Sequence, residues 1–130
     1  MCIKLLFDTH TFIGWDSQPN KLSQIALTLL QYRSNILLLS VVSIWEIQIK
    51  LQVGKVTLNG ALLEIIESQQ KINQIEVLSV NLDHVFALDS LSLIHKDPFD
   101  RLLIAQANVE QDVLVSGDPI VTQYLVNFTW

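Results

Sequence analysis

Cysteine is almost missing: Cys2 is the only one among 130 residues. That excludes an internal disulfide framework and a cysteine-based zinc site, and it makes a reducing cytoplasm the expected compartment. Long hydrophobic runs are missing as well. Half the residues are hydrophobic, yet the apolar stretches are repeatedly broken and none approaches the roughly 18 residues of a membrane span. The amino terminus, MCIKLLFDTH, has no basic region followed by a long apolar one and does not read as a signal peptide. Basic residues are few, 8 against 13 acids for a formal charge of −5. Strong non-specific nucleic-acid binding through a basic surface is thereby disfavoured. Charged residues make up only 16%, which describes an ordered globular chain with little linker or low-complexity sequence. One domain over 1–130 is expected.

Against these absences stands the stretch HKDPFDRLLIAQA, His95 to Ala107. Asp97 as an N-cap and Pro98 at the first helical position predict a helix from Pro98 to about Glu110. Asp100 then shares a face with Leu103, Ile104 and Ala107 at i+3, i+4 and i+7. A carboxylate in line with an apolar stripe costs several kcal/mol unless it is paired or bound to a cation, an effective penalty of about that size. As an isolated motif, Asp97-x-x-Asp100 also reads as a near capping box.

The remaining elements follow in order. Ile3 to Phe7 predicts a strand buried on both faces, with Asp8 at its carboxyl end and a turn carrying Phe12, Ile13 and Trp15 after it. A helix is expected from about Lys21 to Arg33, a strand over Ile36 to Leu39, and a helix from Ser40–Ser43 to Val53 that stops at Gly54. Ser43-x-x-Glu46 has the form of a capping box, and Lys50 lies one turn along the face of Glu46, within reach of an ion pair. A helix over Ala61 to about Ile72, a strand over Ile75 to Val80 and a short helix over Asn81 to Leu91 come next. Val113 to Ser116 predicts another strand, ending at Gly117-Asp118, before a helical turn to about Tyr124 and a last apolar piece, Val126 to Phe128.

This alternation predicts an α/β fold: a three-layer α/β/α sandwich around a mainly parallel sheet. Such sheets bind ligands beyond the carboxyl ends of their strands, where strand order reverses. Asp8 and Asp118 follow strands, and Glu46 and Asp100 are expected in the first turns of helices, so all four can face one crevice. Clustered carboxylates repel one another and need a cation. With no cysteine and no paired histidines at zinc spacing, Mg²⁺ or Mn²⁺ is the matching ion, one or two of them. Two such ions can activate water and steady the leaving oxygen of a phosphodiester.

LLFDTH, SVVSIWEIQIK followed by GK, HKDPFDRLLIAQA and LVSGDP occur here in an order that resembles the PIN-domain nucleases over essentially the whole chain. They most resemble the VapC-type toxins of bacterial toxin–antitoxin pairs. The resemblance implies a metal-dependent endoribonuclease selective for single-stranded RNA, usually a homodimer and usually silenced by a small antitoxin protein. It maps Asp8, Glu46 and Asp100 onto the three main acids and Asp118 onto a fourth, more variable one. Asp97 ranks below these because its N-cap role accounts for it. Thr9 and Ser116 match hydroxyl positions that orient carboxylates or water, although strand-end hydroxyls often cap backbone. Lys50, Arg101 and His10 are candidates for RNA phosphates, weighed against ordinary surface or ion-paired roles. His10, His84 and His95 make no ligand set, and His84 is expected on a helix surface. Trp15, Trp45 and Trp130 are expected in core or interface, since no basic run adjoins them.

Two other acidic-pocket classes fit less well. A haloacid-dehalogenase phosphatase needs an acid at position 10, where this chain has His10. A receiver domain needs an adjacent acid pair near its start. The rival from another class is a catalytically weak PIN-like domain that serves as a protein-binding module.

Overall fold

The structure, a computed structural model, describes residues 2–94 and 97–130. Among these residues, five strands form one sheet: β1 (Lys4–Phe7), β2 (Ile36–Ser40), β3 (Glu76–Leu78), β4 (Val113–Val115) and β5 (Phe128–Thr129). Their order is β3-β2-β1-β4-β5, and every pairing is parallel. The helices are α1 (Thr9–Ser17), α2 (Gln24–Gln31), α3 (Val41–Gln52), α4 (Leu62–Ile72), α5 (Leu82–Ala87) and α6 (Pro98–Glu110).

Strand alternation divides the core. Leu5, Phe7, Leu37 and Leu39 pack against Phe12 of α1, Ala26 and Leu30 of α2, Ile47 of α3 and Ile66 of α4. Leu6 and Leu114 face the other way, onto Ile104 and Ala107 of α6 with Val121 and Tyr124. Leu5, Leu6 and Phe7 are all fully buried, as a central parallel strand requires. The α/β/α sandwich expected from the sequence is the observed architecture. Among the described residues, no helix is long and apolar enough to cross a membrane.

Several boundaries moved. The expected turn after β1 is a nine-residue helix, α1, capped by Asp8. Its buried residues are Thr9, Thr11 and Phe12, so two of the inward positions are polar and the apolar period is hidden. The helix expected from Lys21 is a single 3₁₀ turn, Pro19–Lys21, followed by α2. Ser23 caps α2 by accepting from Ala26 N–H. The third strand is shorter than Ile75 to Val80, and the final apolar piece contributes a fifth strand, β5.

The chain runs from β1 outward to β2 and β3, then returns to lay β4 on the opposite side of β1. The carboxyl ends of β1 and β4 are neighbours, with Phe7 opposite Val115 and Asp8 N–H bonded to Val115 O at 3.2 Å. Strand order reverses there, the place where open α/β sheets bind ligands. Phe7 and Phe12 meet edge to face at 5.5 Å, a contact worth about 0.5–1.5 kcal/mol beyond area burial. It fixes α1 on the end of β1.

Candidate active site

Asp8 follows β1 in an extended conformation and is the N-cap of α1. Its carboxylate is buried, and Oδ1 accepts the Thr11 N–H at 2.7 Å. The next side chain turns toward α3: Thr9 Oγ1 donates to Glu46 Oε1 at 2.6 Å. Such a bond to a carboxylate is about twice as strong as a neutral one. Ser43 Oγ lies 3.1 Å from the Thr9 oxygen. Thr9 has one proton and gives it to the carboxylate, so Ser43 is the donor in that second contact. The other Glu46 oxygen, Oε2, is 3.1 Å from Lys50 Nζ, the ion pair expected from the i,i+4 spacing. Glu46 thus has one oxygen on a hydroxyl and one on an ammonium.

The capping assignment for α3 needs correcting. Ser40, not Ser43, is its N-cap and accepts from Val42 N–H at 3.0 Å. Glu46 therefore lies in the second turn, not the first, and it bonds across to α1 instead of back to its own helix start. Ser43 and Ser40 are both fully buried. The contact of Ser43 with Thr9 was hidden in the sequence by its resemblance to a cap.

On the β4 side, Ser116 is fully buried and its hydroxyl accepts the Asp118 N–H at 3.2 Å. Asp118 is half-buried, and its Oδ1 accepts the Ile120 N–H at 2.9 Å. Between them, Gly117 leaves room for the Trp130 indole: a Cβ there would lie 2.6 Å from the ring. Asp97 caps α6 as expected, its Oδ1 accepting from Phe99 N–H at 2.9 Å and Asp100 N–H at 3.2 Å. Asp100 is half-buried in the first turn of α6, in line with buried Leu103, Ile104 and Ala107. Trp45 and Phe99, each immediately preceding an acid, meet edge to face at 5.0 Å and join α3 to α6.

The structure therefore brings Thr9, Ser43, Glu46 and Lys50 into one bonded set, with Asp8 next to Thr9 in the chain and bonded to the start of α1. It places Ser116 and Asp118 on the adjoining strand end and Asp100 on a helix that touches α3. Among the described residues, no three acidic, imidazole or thiol side chains lie close enough to hold a metal as a closed group. The donors present are carboxylate and hydroxyl oxygens, the chemistry a hard divalent cation takes.

Other expectations fare differently. Arg101 donates to Ser92 O at 2.8 Å, Leu88 O at 3.4 Å and Tyr124 OH at 3.4 Å. Its guanidinium ties α6 to the segment before it and to Tyr124. His84 is a clear correction: it is fully buried, not on a surface. Its Nδ1 accepts from Asn81 N–H while Asn81 caps His84 N–H, a reciprocal capping box for α5. The proton then sits on Nε2, which meets Glu110 Oε2 at 2.8 Å. His10 is exposed on α1, and His95 lies outside the described residues. Trp15 packs on Phe7, but Trp45 is 59% exposed. A hollow of about 510 Å³ at the amino ends of β2 and β3, lined by Tyr32, Arg33, Asn35 and Asn73, contains none of the predicted acids.

A buried carboxylate lies at that opposite end of the sheet. Asp112, just before β4, is 1% exposed, and neither of its oxygens has a hydrogen-bond partner among the described residues. The Lys4 ammonium is 3.2 Å away. Burial nevertheless outweighs that pairing and pushes the carboxyl above its ordinary value of 3.8.

Comparison with known proteins agrees with this fold. The family model described as the PIN domain matches residues 5–124. No curated protein matches. Among solved structures, VapBC2 from Rickettsia felis, crystallised bound to a DNA fragment from its promoter, is similar at a TM-score of 0.74 and 14% identity, covering 98% of each chain. A toxin–antitoxin complex from Klebsiella pneumoniae is similar at a TM-score of 0.52 and 14% identity, covering 88% of this chain and 86% of that one.

Proposed function

Since the chain belongs to the PIN domain family, we propose that it is a metal-dependent endoribonuclease cutting single-stranded regions of RNA, and the VapC-type toxin of a toxin–antitoxin pair. The observation that carries this is the bonding of Thr9 to Glu46 beside Asp8, at the point where strand order reverses. That is where an open parallel sheet presents a ligand site. PIN nucleases generally use divalent ions, and the oxygen donors here suit Mg²⁺ or Mn²⁺. Asp8, Glu46, Asp100 and Asp118 would hold one or two ions, with Asp97 kept to its cap. When bound, the ion supplies an activated water and offsets charge on the phosphate.

The protein's own residues have separable tasks. Thr9 holds the Glu46 carboxylate in one orientation, and Ser43 supports Thr9. Lys50 neutralises Glu46 in the absence of a cation and is placed to meet a phosphate once a cation takes its place there. Ser116 keeps the Asp118 turn closed. With a net charge of −5, bare acids at this crevice would repel a phosphodiester. RNA binding and cleavage are therefore both expected to depend on the ion.

A small antitoxin and a second copy of the chain are the partners of this reading, and residues 1–130 act as one cytoplasmic domain in it. Of the similar solved structures, one is a toxin–antitoxin complex by description and another is VapBC2 with a promoter DNA fragment. Exposed apolar side chains such as Leu63, Ile72, Leu82 and Phe86 are the kind of surface that partners cover. One observation favours the rival, a protein-binding module without catalysis: Glu46 is already satisfied by Thr9 and Lys50.

Cleavage of a mixed single-stranded RNA pool decides between them. Purified, antitoxin-free protein is incubated with Mg²⁺, Mn²⁺ or EDTA, beside Asp8→Asn and Asp100→Asn. Metal-dependent cutting lost in both variants is expected. Folded protein that binds metal but cuts nothing would favour the binding module, and protein that binds no metal would remove the site.

A further inference from the structure

Gln106 is completely buried in a stretch of α6 otherwise made of Leu103, Ile104, Ala105 and Ala107. A buried amide is costly unless its bonds are made, and both ends of this one are engaged. Oε1 accepts from Ser40 Oγ at 2.5 Å. Nε2 donates to Ser79 O at 3.2 Å and lies 3.4 Å from His84 Nδ1. Ser40 both ends β2 and caps α3, Ser79 follows β3, and His84 belongs to α5. One amide thus joins α6 to the carboxyl ends of two strands and to the start of the helix carrying Glu46.

The two ties between α3 and α6 pair Ser40 with Gln106 and Trp45 with Phe99. Residue number rises along one helix as it falls along the other, so the helices pass in opposite senses. Glu46 lies six residues from Ser40 and Asp100 six from Gln106, about 9 Å of helical rise in each case. A slip of α6 by one residue would move Asp100 by about 1.5 Å, whereas metal–ligand distances tolerate about 0.2 Å. Apolar packing is non-directional and holds such a register poorly; a doubly bonded amide holds it well.

We propose that Gln106 is a positioning residue which, through Ser40, sets the spacing between Glu46 on α3 and Asp100 on α6. The inference rests on the reading of those acids as metal ligands. It is tested with Gln106→Leu, Ser40→Ala and the double variant, each kept at a temperature where circular dichroism shows it folded. Mn²⁺ affinity is measured by calorimetry, and kcat and KM are measured separately on single-stranded RNA. Gln106→Leu is expected to lose tenfold or more in Mn²⁺ affinity and, at saturating Mn²⁺, tenfold or more in kcat with KM within twofold. Ser40→Ala should shift both in the same direction, and the double variant should be no worse than Gln106→Leu. A variant that melts earlier but, while folded, keeps wild-type Mn²⁺ affinity and kcat would overturn the proposal. If Gln106→Leu does not fold, Ser40→Ala carries the same test. Wild-type protein that binds no Mn²⁺ would overturn the reading of the acids and this proposal with it; wild-type binding matched by the variants overturns the positioning alone.

Discussion

Replacing Thr9 by valine keeps the shape of the side chain and removes one hydroxyl. In the native site that hydroxyl is the donor 2.6 Å from Glu46 Oε1, on a carboxylate that is 6% exposed. A buried acceptor left without its donor costs about 1–3 kcal/mol, toward the upper end when it is charged. Ser43 limits the loss, because its hydroxyl is already 3.1 Å from the vacated position, so we expect about 2 kcal/mol. Unfolding entropies near 2.1 cal/mol/K per residue imply about 0.27 kcal/mol/K for this length, which makes the shift about 7 °C in melting temperature. The assay is thermal unfolding of wild type, Thr9→Val and Thr9→Ser, first in EDTA and then with excess Mn²⁺. Thr9→Ser should melt near wild type. The valine deficit should shrink in Mn²⁺, because a cation on Glu46 supplies the missing partner. Thr9→Val melting within about 1 °C of wild type in EDTA, under 0.5 kcal/mol on the same scale, would refute the claim that Thr9 holds Glu46.

Two further perturbations test the electrostatics. Lys50→Met removes the ammonium 3.1 Å from Glu46 Oε2; because the Lys50 side chain is 23% exposed, the cost should be about 1 kcal/mol rather than that of a fully buried pair. Mn²⁺ affinity by calorimetry should rise severalfold once the ammonium no longer competes, and unchanged or weaker binding would refute that competition. Asp112 sits above its ordinary value because of burial. Between that value and its raised folded one, the folded state binds a proton the unfolded chain has lost, so stability falls as pH rises through this window. Asp112→Asn should remove that fall in urea titrations from pH 4 to 7; an identical slope in the variant would exclude Asp112 as its source.

The layer architecture was legible because its signals are collective. The apolar run Leu5–Phe7 of β1, apolar stripes on α2 and α4, and the Asp97–Pro98 entrance to α6 each repeat one message at several positions. α1 escaped because its inward positions include Thr9 and Thr11, buried polar residues of which Thr9 bonds Glu46 through its hydroxyl and Thr11 bonds Asp8 through its backbone N–H. A period computed from apolar residues cannot see a helix whose buried face does polar work. His84 failed for a related reason. A histidine at N3 of an Asn-capped helix reads as surface, but its ring closes a capping box and meets Glu110 and Gln106 in the interior. Gln106 had a visible signal, an amide in the stretch between Leu103 and Ala107, whose partner Ser40 lies 66 positions away. The candidate acids stand out in the sequence as residues, whereas their bonded partners were legible only where local, as with Lys50 four positions from Glu46.

Those local partners explain how the proposed site could stand without a cation. Asp8 spends an oxygen on the start of α1, Asp97 on the start of α6 and Asp118 on the Ile120 amide, while Glu46 has Thr9 and Lys50. Backbone amides at helix starts and one ammonium thus offset repulsion that would otherwise fall on the fold. A metallodomain whose ligands have no other partners unfolds when its ion is removed. Here the acids are partnered one by one, on elements packed into two continuous apolar cores. An ion at this crevice would therefore exchange partners at a site already standing, and its affinity would measure how well it competes with Lys50 and how accurately α6 is registered against α3.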